Sequence, residues 1–409
     1  MINAGDTAWV LISAALVMLM TPGLAFFYGG MVRKKNVLSV LMQCFIVLCL
    51  LSVQWVLYGY SISFAPGEGF WGGFKWFGLN GVGLEPYSDY AATIPHQAFM
   101  IFQAMFAIIT PALIIGAFAE RMKFSAFLIF ILLWSTFVYG PVCHWVWGVG
   151  GWLRKLGALD FAGGTVVHIN AGIAALATAL VIGKRKNIEK NIPAPHNMSF
   201  VVLGTALLWF GWFGFNAGSA LAANGLAVNA FVVTNTAAAA AGLSWAFIEW
   251  IRNGKPTIFG AASGAVAGLV AITPAAGFVS VIPAILIGIL VSVFCFISVG
   301  IVKPRMGYDD ALDAFGVHCI GGIWGALATG LFASKAVNSA GADGLFFGNP
   351  KQFIIQLAAV GATLIYSFVA TTIIYKVIDL IMVVRVNEKE EAMGLDLTQH
   401  HERACTVLE

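Results

Sequence analysis

The sequence predicts an all-α polytopic membrane protein with eleven transmembrane helices, arranged as two inverted five-helix repeats plus one extra C-terminal helix. The first observation is composition, since the 409 residues are 60% hydrophobic and only 10% charged. A soluble domain cannot bury that much apolar surface, whereas a bilayer accommodates it. The second is a series of eleven apolar runs, and the third is an internal repeat around two histidines.

Composition also excludes several classes of function. A net charge of +3 is too small to indicate a nucleic-acid partner. The six cysteines form no C-x-x-C pair, so neither a disulfide framework nor a metal site is predicted, and no cofactor is expected. The polar start Met1–Thr7 lacks a basic region, so we expect no cleaved signal peptide and a first span that stays in the mature protein.

Each apolar run is long enough to cross a bilayer, which takes about 20 residues. The least distinct boundary is at Thr273–Phe278, which alone separates the eighth run from the ninth. The sequence therefore predicts a transmembrane domain over residues 1–381, with repeat halves at about 8–183 and 197–333, and a C-terminal tail over 382–409. The runs lie at roughly 8–31, 38–62, 96–119, 124–147, 164–183, 197–217, 225–250, 257–276, 279–302, 314–333 and 352–381.

The distribution of basic residues predicts the orientation. With eleven spans, only five of the 22 lysines and arginines fall on the side of the N-terminus: Lys75, Arg154, Lys155, Lys335 and Lys351. Short cytoplasmic loops are enriched in Lys and Arg. We therefore expect an external N-terminus and a cytoplasmic tail in the cell (inner) membrane.

Two segments share one pattern, because Val167-His168-x-x-x-Gly172-Ile173 recurs as Val317-His318-x-x-x-Gly322-Ile323. An aspartate precedes each histidine by eight residues, Asp160 in one segment and Asp310 in the other. The fifth and tenth spans run in opposite directions, as in an inverted repeat. Proteins built this way place their substrate site near the midplane, between the halves.

His168 and His318 alone among the seven histidines fall inside predicted spans away from polar flanks. Two unrelated histidines, each satisfied by helix packing, would be the plain alternative, but equivalent placement in both halves favours a shared central site. If the imidazoles meet, one ring can donate an N–H to the other. Such a row suits a small polar solute that both donates and accepts hydrogen bonds, and it does not suit alkali cations.

Aromatic residues form a second group on the external side of the predicted topology. Phe102 and Phe106 are one helical turn apart, and Trp212 and Phe215 precede Ser219. Trp147 ends the fourth span. An interfacial aromatic belt is one explanation of the tryptophans. The other is a vestibule whose ring faces attract a cation, each by about 0.5–2 kcal/mol, with Ser219 accepting a hydrogen bond.

Four stretches resemble the signatures of the ammonium transporter (Amt/Rh/Mep) family, of the bacterial or archaeal Amt type. They are the first-span stretch from Thr21 to Asn36, the segments Asp160–Asn170 and Asp310–His318, and Gly-Trp-Phe-Gly-Phe-Asn-Ala-Gly-Ser at 211–219. The resemblance as a whole covers nearly the entire chain, from residue 8 to about 402.

The resemblance implies a role for each candidate residue. Phe102, Trp147 and Ser219 would recruit ammonium, or its analogue methylammonium, on the external side. Phe106 and Phe215 would form a stacked gate, Trp212 would line the lumen, and His168 and His318 would be the pore pair. Asp160 and Asp310 would give structural support. The resemblance also implies a homotrimer with one pore per subunit in the lipid bilayer, and a PII-type regulatory protein at the cytoplasmic face.

Two features depart from the family pattern, one in an external loop and one in the tail. The loop between Trp147 and Asp160 is one residue longer than in the bacterial pattern. In the tail, glycine is expected at 401 and tyrosine at 405, where this chain has His401 and Cys405. A residue other than glycine at 401 is expected to change the local turn, which weakens the prediction of tail-mediated coupling between subunits.

The predicted activity is nitrogen uptake by transmembrane ammonium transport: recruitment, deprotonation, and passage of ammonia along the twin-histidine pore. Both electrogenic transport, with the proton travelling separately, and neutral ammonia conduction are compatible with the sequence. An alternative is an ammonium sensor that signals through the tail, although the 28 residues after the last span have no room for a catalytic domain. An enzyme is not predicted, because no H-E-x-x-H or G-x-S-x-G motif occurs.

Overall fold

A computed structural model describes residues 1–186 and 195–404, and these residues form helices and connecting loops without a named strand. Within them, ten apolar helices are long enough to cross a membrane. A shorter apolar helix, Ile258–Ile272, makes eleven in all and is the eighth in chain order. The predicted polytopic architecture of eleven helices is confirmed. The spans are Ala4–Met31, Lys34–Phe64, His96–Phe118, Phe124–Leu156, Gly164–Ile182, Met198–Ala220, Gly225–Asn253, Ile258–Ile272, Val281–Met306, Phe315–Phe332 and Pro350–Ile381.

Several helices extend beyond the apolar runs that predicted them. The first begins at Ala4, because Asn3 caps it by accepting a hydrogen bond from the backbone N–H of Asp6. The last begins with Pro350 in its first turn, where a missing N–H costs nothing. With eleven crossings the two ends of the chain lie on opposite sides of the membrane, which we call the N-terminal face and the C-terminal face.

Six of the spans contain a π-helical turn. Such turns interrupt the regular i→i+4 hydrogen bonding and are frequent at functional sites. Two of them contain the repeated histidines, His168 in Gly164–Ile169 and His318 in Phe315–Cys319. The repeat seen in the sequence is thus also a repeat of backbone geometry. The remaining four turns are Trp55–Gly59, Ser135–Tyr139, Phe213–Ala217 and Ser298–Val302.

The repeated glycines explain how the fifth and tenth spans come close at the histidines. A Cβ on Gly172 would lie 2.3 Å from the backbone nitrogen of Cys319, next to His318. A Cβ on Gly322 would lie 3.1 Å from the Cβ of His168. Each half therefore provides a glycine where the histidine segment of the other half crosses it. Small residues allow such close backbone approach inside membranes.

The eighth span is the shortest, since its helix Ile258–Ile272 has 15 residues. At 1.5 Å per residue it is about 22 Å long, less than the roughly 30 Å hydrocarbon core of a bilayer. It ends at Thr273, and the carbonyl of Pro274 then accepts a hydrogen bond from the backbone N–H of Phe161. Non-helical backbone at this depth is tolerated because protein surrounds it.

The tail folds back onto the C-terminal face. The backbone N–H of Leu395 donates to Asn36 over 2.8 Å, and that of Ser39, at the start of the second span, donates to the Asp396 carboxylate over 2.8 Å. His401 adopts the left-handed conformation that favours glycine, with φ 57°. Histidine therefore occupies a backbone conformation that glycine adopts at no steric cost. Cys405 lies outside the described residues.

Candidate functional site

The predicted aromatic and imidazole residues form one continuous row through the protein. Phe102 contacts Phe106 with ring centroids 5.0 Å apart, and Phe106 lies against Phe215 at 4.3 Å. Further along, the Phe215 ring lies 6.0 Å from that of His168, and the His168 ring lies 5.5 Å from that of His318. Residues separated by more than 200 positions in the sequence thus converge on one path.

A cavity of about 190 Å³, which we call the vestibule, lies at one end of this row. Trp147 and Ser219 both line it. The Trp147 indole N–H donates to the carbonyl of Asp160 over 2.8 Å, which fixes the ring. The Ser219 hydroxyl donates to the carbonyl of Phe215 over 2.8 Å, so the lone pairs of its oxygen remain able to accept. The other lining residues are Phe64, Asp89, Tyr90, Phe99, Gln103, Val146, Arg154, Asp160, Phe161 and Leu221.

Phe102 lies behind the vestibule rather than in its wall. Its side chain is completely buried and packs against Phe106 and Gly218. The neighbouring Gln103 lines the cavity instead, and its buried amide oxygen has no hydrogen-bond partner among the residues that the structure describes. Gln103 was not among the predicted site residues. A polar amide directly after Phe102 in an otherwise apolar run was the available signal.

The two histidines face each other with nearly parallel rings, at an interplanar angle of 13°. Both ring nitrogens of His168 and the Nδ1 of His318 are buried without a hydrogen-bond partner among the described residues. The direct hydrogen bond between imidazoles considered from the sequence is therefore not formed, and these polar atoms remain available to a small solute. The Trp212 ring also lies near His168, with centroids 5.4 Å apart.

Trp212 is held by the end of the short eighth span, because its indole N–H donates to the Thr273 hydroxyl over 2.9 Å. The contact joins the sixth span to the site where the eighth helix stops. Trp212 and Phe215 both line a small cavity beside the histidines, with a volume of about 10 Å³. A volume of this order holds about one water-sized molecule.

Further cavities continue the path toward the C-terminal face. His318 lines both the 10 Å³ cavity and a second one of about 30 Å³, which also contacts Ser263 and Asp313. Beyond these, Asp313 also lines an open cavity of about 720 Å³ together with Lys303 and Arg185. The cavity beside the histidines is thus the smallest of these four, with the vestibule on one side of it and the larger cavities toward the C-terminal face on the other.

Asp160 organises the start of the fifth span. Its carboxylate accepts hydrogen bonds from four backbone N–H groups and one hydroxyl, at 2.6–3.1 Å, which satisfies the unpaired donors at a helix start. The donors are the N–H groups of Gly163, Gly164, Thr165 and Val166 and the hydroxyl of Thr165. Because its own carbonyl also accepts from Trp147, Asp160 connects the vestibule to the segment that contains His168.

Asp310 has the corresponding position before the tenth span. Its carboxylate accepts a hydrogen bond from the Phe315 backbone N–H over 2.7 Å, and its carbonyl accepts from Lys303 over 2.6 Å. Its other carboxylate oxygen is buried, and no described residue donates a hydrogen bond to it. Burial raises the pKa of Asp310 to about 6, although the Lys303 ammonium opposes the shift. The two aspartates are thus equivalent in position, but Asp310 has fewer hydrogen bonds.

The described residues contain no group of three or more His, Cys, Asp or Glu side chains that could hold a metal ion. The groups that line the vestibule and the histidine cavity include aromatic rings, imidazoles, a hydroxyl, an amide and the charged side chains of Asp89, Arg154 and Asp160. This arrangement can contact a small cation by ring faces at the vestibule and a small neutral molecule by hydrogen bonds at the histidines.

Comparison with known proteins extends over nearly the whole chain. Residues 8–405 match the model of the Ammonium Transporter Family. An ammonium transporter of Bacillus subtilis is 56% identical over 400 residues, which cover 98% of each chain. Ammonium transporter Amt1 of Archaeoglobus fulgidus is 50% identical over 403 residues, with 98% of this chain and 99% of that chain covered.

Solved structures agree with these sequence matches. The crystal structure of Candida albicans Mep2 has a TM-score of 0.90 and 38% identity, and the match covers 98% of this chain and 90% of that one. A structure titled "Sensor Amt Protein" has a TM-score of 0.88 and 29% identity, and the match covers 97% and 98% of the two chains. The fold and its connectivity are therefore those of these proteins.

Proposed function

Since the chain belongs to the ammonium transporter family and transports ammonium, we propose that it takes up ammonium in the vestibule and passes ammonia between His168 and His318. The observation that supports this proposal most is the row of cavities in which the smallest is lined by both imidazoles. A cavity of about 10 Å³ admits a single ammonia-sized molecule and no hydrated cation.

Recruitment in this proposal combines ring faces with hydrogen-bond acceptors. Trp147 offers a ring face to the cation, and Phe102 stabilises Phe106 from behind. The Ser219 oxygen accepts one hydrogen bond from ammonium, and the unpaired amide oxygen of Gln103 accepts another. Ammonium donates one hydrogen bond to each of these acceptors, whereas an alkali cation normally takes a larger shell of oxygen ligands than the two supply, so the site would favour ammonium.

The gate below the vestibule sets the requirement for deprotonation. Phe106 and Phe215 are both completely buried, with ring centroids 4.3 Å apart. Transferring a bare cation into such surroundings costs on the order of tens of kcal/mol by Born estimates, whereas neutral ammonia avoids that cost. The substrate therefore loses its proton at the gate, and ammonia then donates to and accepts from the imidazole nitrogens of His168 and His318.

The proton that ammonium loses has two possible routes in this mechanism. It travels separately through the histidines, which makes transport electrogenic, or it stays outside, which makes conduction neutral. Currents from proteoliposomes given an ammonium gradient distinguish the two forms.

The test compares the wild type with His168→Ala and with Trp147→Leu, using His196→Gln as a control because His196 contacts Val32 at the C-terminal face, away from the row. We expect His168→Ala to change the current or its selectivity against potassium, and Trp147→Leu to raise the half-saturating ammonium concentration. Unchanged current with unchanged selectivity in His168→Ala would remove the histidines from the mechanism.

We further propose that the N-terminal face is external, that the C-terminal face is cytoplasmic and that the protein works in the cell (inner) membrane as a homotrimer. The excess of Lys and Arg on the C-terminal face supports the orientation, and family membership supports the trimer. A PII-type protein is the proposed partner at the cytoplasmic face, where the docked tail and the 720 Å³ cavity form an accessible surface.

A sensing role is the second candidate, because one similar structure is titled "Sensor Amt Protein". The docked tail would then report occupancy of the pore. Reconstituted vesicles decide between the roles, since binding of methylammonium without flux would favour sensing and saturable flux favours transport.

A further inference from the structure

The vestibule contains a fixed cation, Arg154, which none of the roles above uses. Arg154 lies on the short helix Trp152–Leu156, which ends the fourth span, and it lines the vestibule together with Trp147 and Ser219. A guanidinium beside a site for a cation is unfavourable electrostatically, so its presence requires another explanation.

The contacts of Arg154 supply that explanation. Its Nη1 donates to the carbonyl of Trp147 over 2.8 Å, and its Nη2 donates to the carbonyl of Asp89 over 3.2 Å. Its guanidinium carbon lies 5.6 Å from the centroid of the Tyr90 ring. One planar side chain thus joins three segments at the rim of the vestibule, a geometry that the guanidinium fork permits and a lysine ammonium does not reproduce.

The Trp147 carbonyl is the end of a helix. The helix Gly140–Trp147 stops at this residue, and the last carbonyls of a helix have no partner within it. A cationic donor at a helix C-terminus satisfies such a carbonyl and interacts favourably with the helix dipole. Arg154 therefore restrains the backbone of Trp147, while Asp160 restrains its indole N–H.

Tyr90 extends this restraint into the loop between the second and third spans. Its hydroxyl accepts a hydrogen bond from the Val149 backbone N–H over 2.9 Å, and its ring stacks on Phe99 at 4.8 Å. The Tyr90 hydroxyl also donates to the Phe64 carbonyl. The loop that follows Trp147 is thus held on both sides, by Arg154 and by Tyr90.

We propose that Arg154 is a positioning residue of the recruitment site, which acts through Trp147 by fixing the end of its helix and the adjoining rim. The inference rests on the proposed role of Trp147 in ammonium recruitment. It adds that the chain tolerates a positive charge in the vestibule because the restraint on Trp147 contributes more to ammonium binding than the repulsion removes.

Two substitutions separate restraint from charge. Arg154→Lys keeps the charge and loses the fork, and Arg154→Gln loses both. Restraint predicts that both variants raise the half-saturating ammonium concentration for flux, by roughly three- to tenfold, with the maximal flux unchanged. A lower half-saturating concentration in Arg154→Gln, with no change in Arg154→Lys, would mean that repulsion dominates and would overturn the proposal. So would a reduced maximal flux with unchanged half-saturation in either variant.

Lys155→Gln is the matched control. Lys155 is the next residue on the same short helix and is exposed, as Arg154 is, but it pairs with Glu68 at 2.5 Å and does not line the vestibule. We expect wild-type values for this variant. An increase equal to that of Arg154→Lys would attribute the effect to the helix as a whole and would contradict a specific role for Arg154.

A double variant tests whether Arg154 acts through Trp147. In a Trp147→Leu background, Arg154→Lys should add little to the half-saturating concentration, because the ring that it positions is gone. Fully multiplicative effects of the two changes would overturn the inference. If Trp147→Leu alone leaves half-saturation unchanged, the recruitment proposal itself fails. If Trp147→Leu raises it and Arg154→Lys does not, only the positioning role fails.

Discussion

Single carboxylates decide the local geometry on both sides of the pore, and Asp160 has the larger effect. Its carboxylate accepts from five donors at the start of the fifth span, whose π-helical turn contains His168. A charged acceptor is strongly favoured where several backbone N–H groups converge. Removing it leaves these donors unpaired inside the protein, which costs free energy that no other described side chain restores.

We expect Asp160→Asn to lower the free energy of unfolding by roughly 1.5–3 kcal/mol, because the amide turns one of the two oxygens into a donor that faces backbone N–H groups. Ammonium flux should fall as well, since the same segment positions His168. Thermal unfolding in detergent and flux in proteoliposomes measure the two effects. Glu68→Gln is the control, because Glu68 is exposed and pairs only with Lys155. Wild-type stability of Asp160→Asn would contradict the capping role.

The raised pKa of Asp310 predicts that the stability of the folded state falls as pH rises, which is the opposite of the effect of a salt-bridged carboxylate. Burial raises its pKa to about 6, above the ordinary value of 3.8. Below about pH 4 the group is protonated in both the folded and the unfolded state. Between pH 4 and 6 the unfolded state releases its proton first, so the stability of the folded state falls as pH rises, by on the order of 2–3 kcal/mol, and then stays level.

The pH dependence is measurable with Asp310→Asn, which keeps an oxygen to accept from Phe315 and removes the titration. The difference in melting temperature between this variant and the wild type should shift in favour of the variant from pH 4.5 to 6.5. Asp343→Asn, at the opposite face, controls for changes in surface charge. A constant difference across this range would show that Asp310 does not titrate as its burial predicts.

At the scale of elements, the crossing of the fifth and tenth spans depends on glycines that face backbone. Gly172→Ala would place its Cβ 2.3 Å from the backbone nitrogen of Cys319, and backbone has no rotamer with which to move away. Gly322→Ala meets the Ile169 side chain at 3.0 Å and the Gly164 carbonyl oxygen at 3.1 Å, contacts that a shift of a few tenths of an ångström relieves. We therefore expect Gly172→Ala to lose stability by more than about 1–3 kcal/mol, the usual cost of overpacking, and Gly322→Ala to lose less.

Flux and thermal unfolding of the two glycine variants test this order. Gly361→Ala in the last span is the control, because a Cβ there meets nothing within 4 Å. The control should match or exceed wild-type stability, since alanine favours helix over glycine. Equal effects of Gly172→Ala and Gly322→Ala would mean that the backbone contact at Cys319 does not limit the crossing.

The same crossing shows what sequence predicts and what it does not. The apolar runs predicted the spans, and the histidine–glycine repeat predicted that His168 and His318 meet, because hydrophobic length and equivalent position are properties of the sequence itself. Three features depend on the rotation of each span about its axis. They are the nearly parallel rings of His168 and His318, the burial of Phe102 and the position of Gln103 in the wall of the vestibule. That rotation is set by packing between distant segments, which no short motif specifies.

At the scale of the whole molecule, buried ion pairs connect the loops of the C-terminal face. Glu120 pairs with Arg33 at 2.6 Å, while Asp309 pairs with Arg121 at 2.5 Å and with Arg185 at 2.8 Å. Burial alone would raise the pKa of Asp309, but Arg185 and Arg121 outweigh it and lower the pKa to about 2. The stabilisation from this carboxylate is present above about pH 4 and is lost only as pH falls toward 2.

The tail adds a second layer to this face. Glu391 accepts from the Lys186 backbone N–H over 2.6 Å and pairs with Arg385 at 2.9 Å, so it connects the tail to the loop after the fifth span. Asp396 accepts from the first turn of the second span, through the backbone N–H of Ser39. Because a helix N-terminus attracts negative charge, the docked tail stabilises both the second span and the loops around the 720 Å³ cavity.

Truncation after Val386 tests whether docking of the tail stabilises the whole C-terminal face. It removes Glu391, Leu395 and Asp396, and it leaves Asn36 and the Ser39 N–H without their partners. We expect hydrogen exchange over residues 33–39 to accelerate by about tenfold or more, which corresponds to about 1.4 kcal/mol, and flux to fall. Truncation after Ala404 retains every contact named here and should match the full chain. Unchanged hydrogen exchange after truncation at Val386 would mean that the start of the second span is stable without the tail. The tail would then not contribute to the stability of the pore.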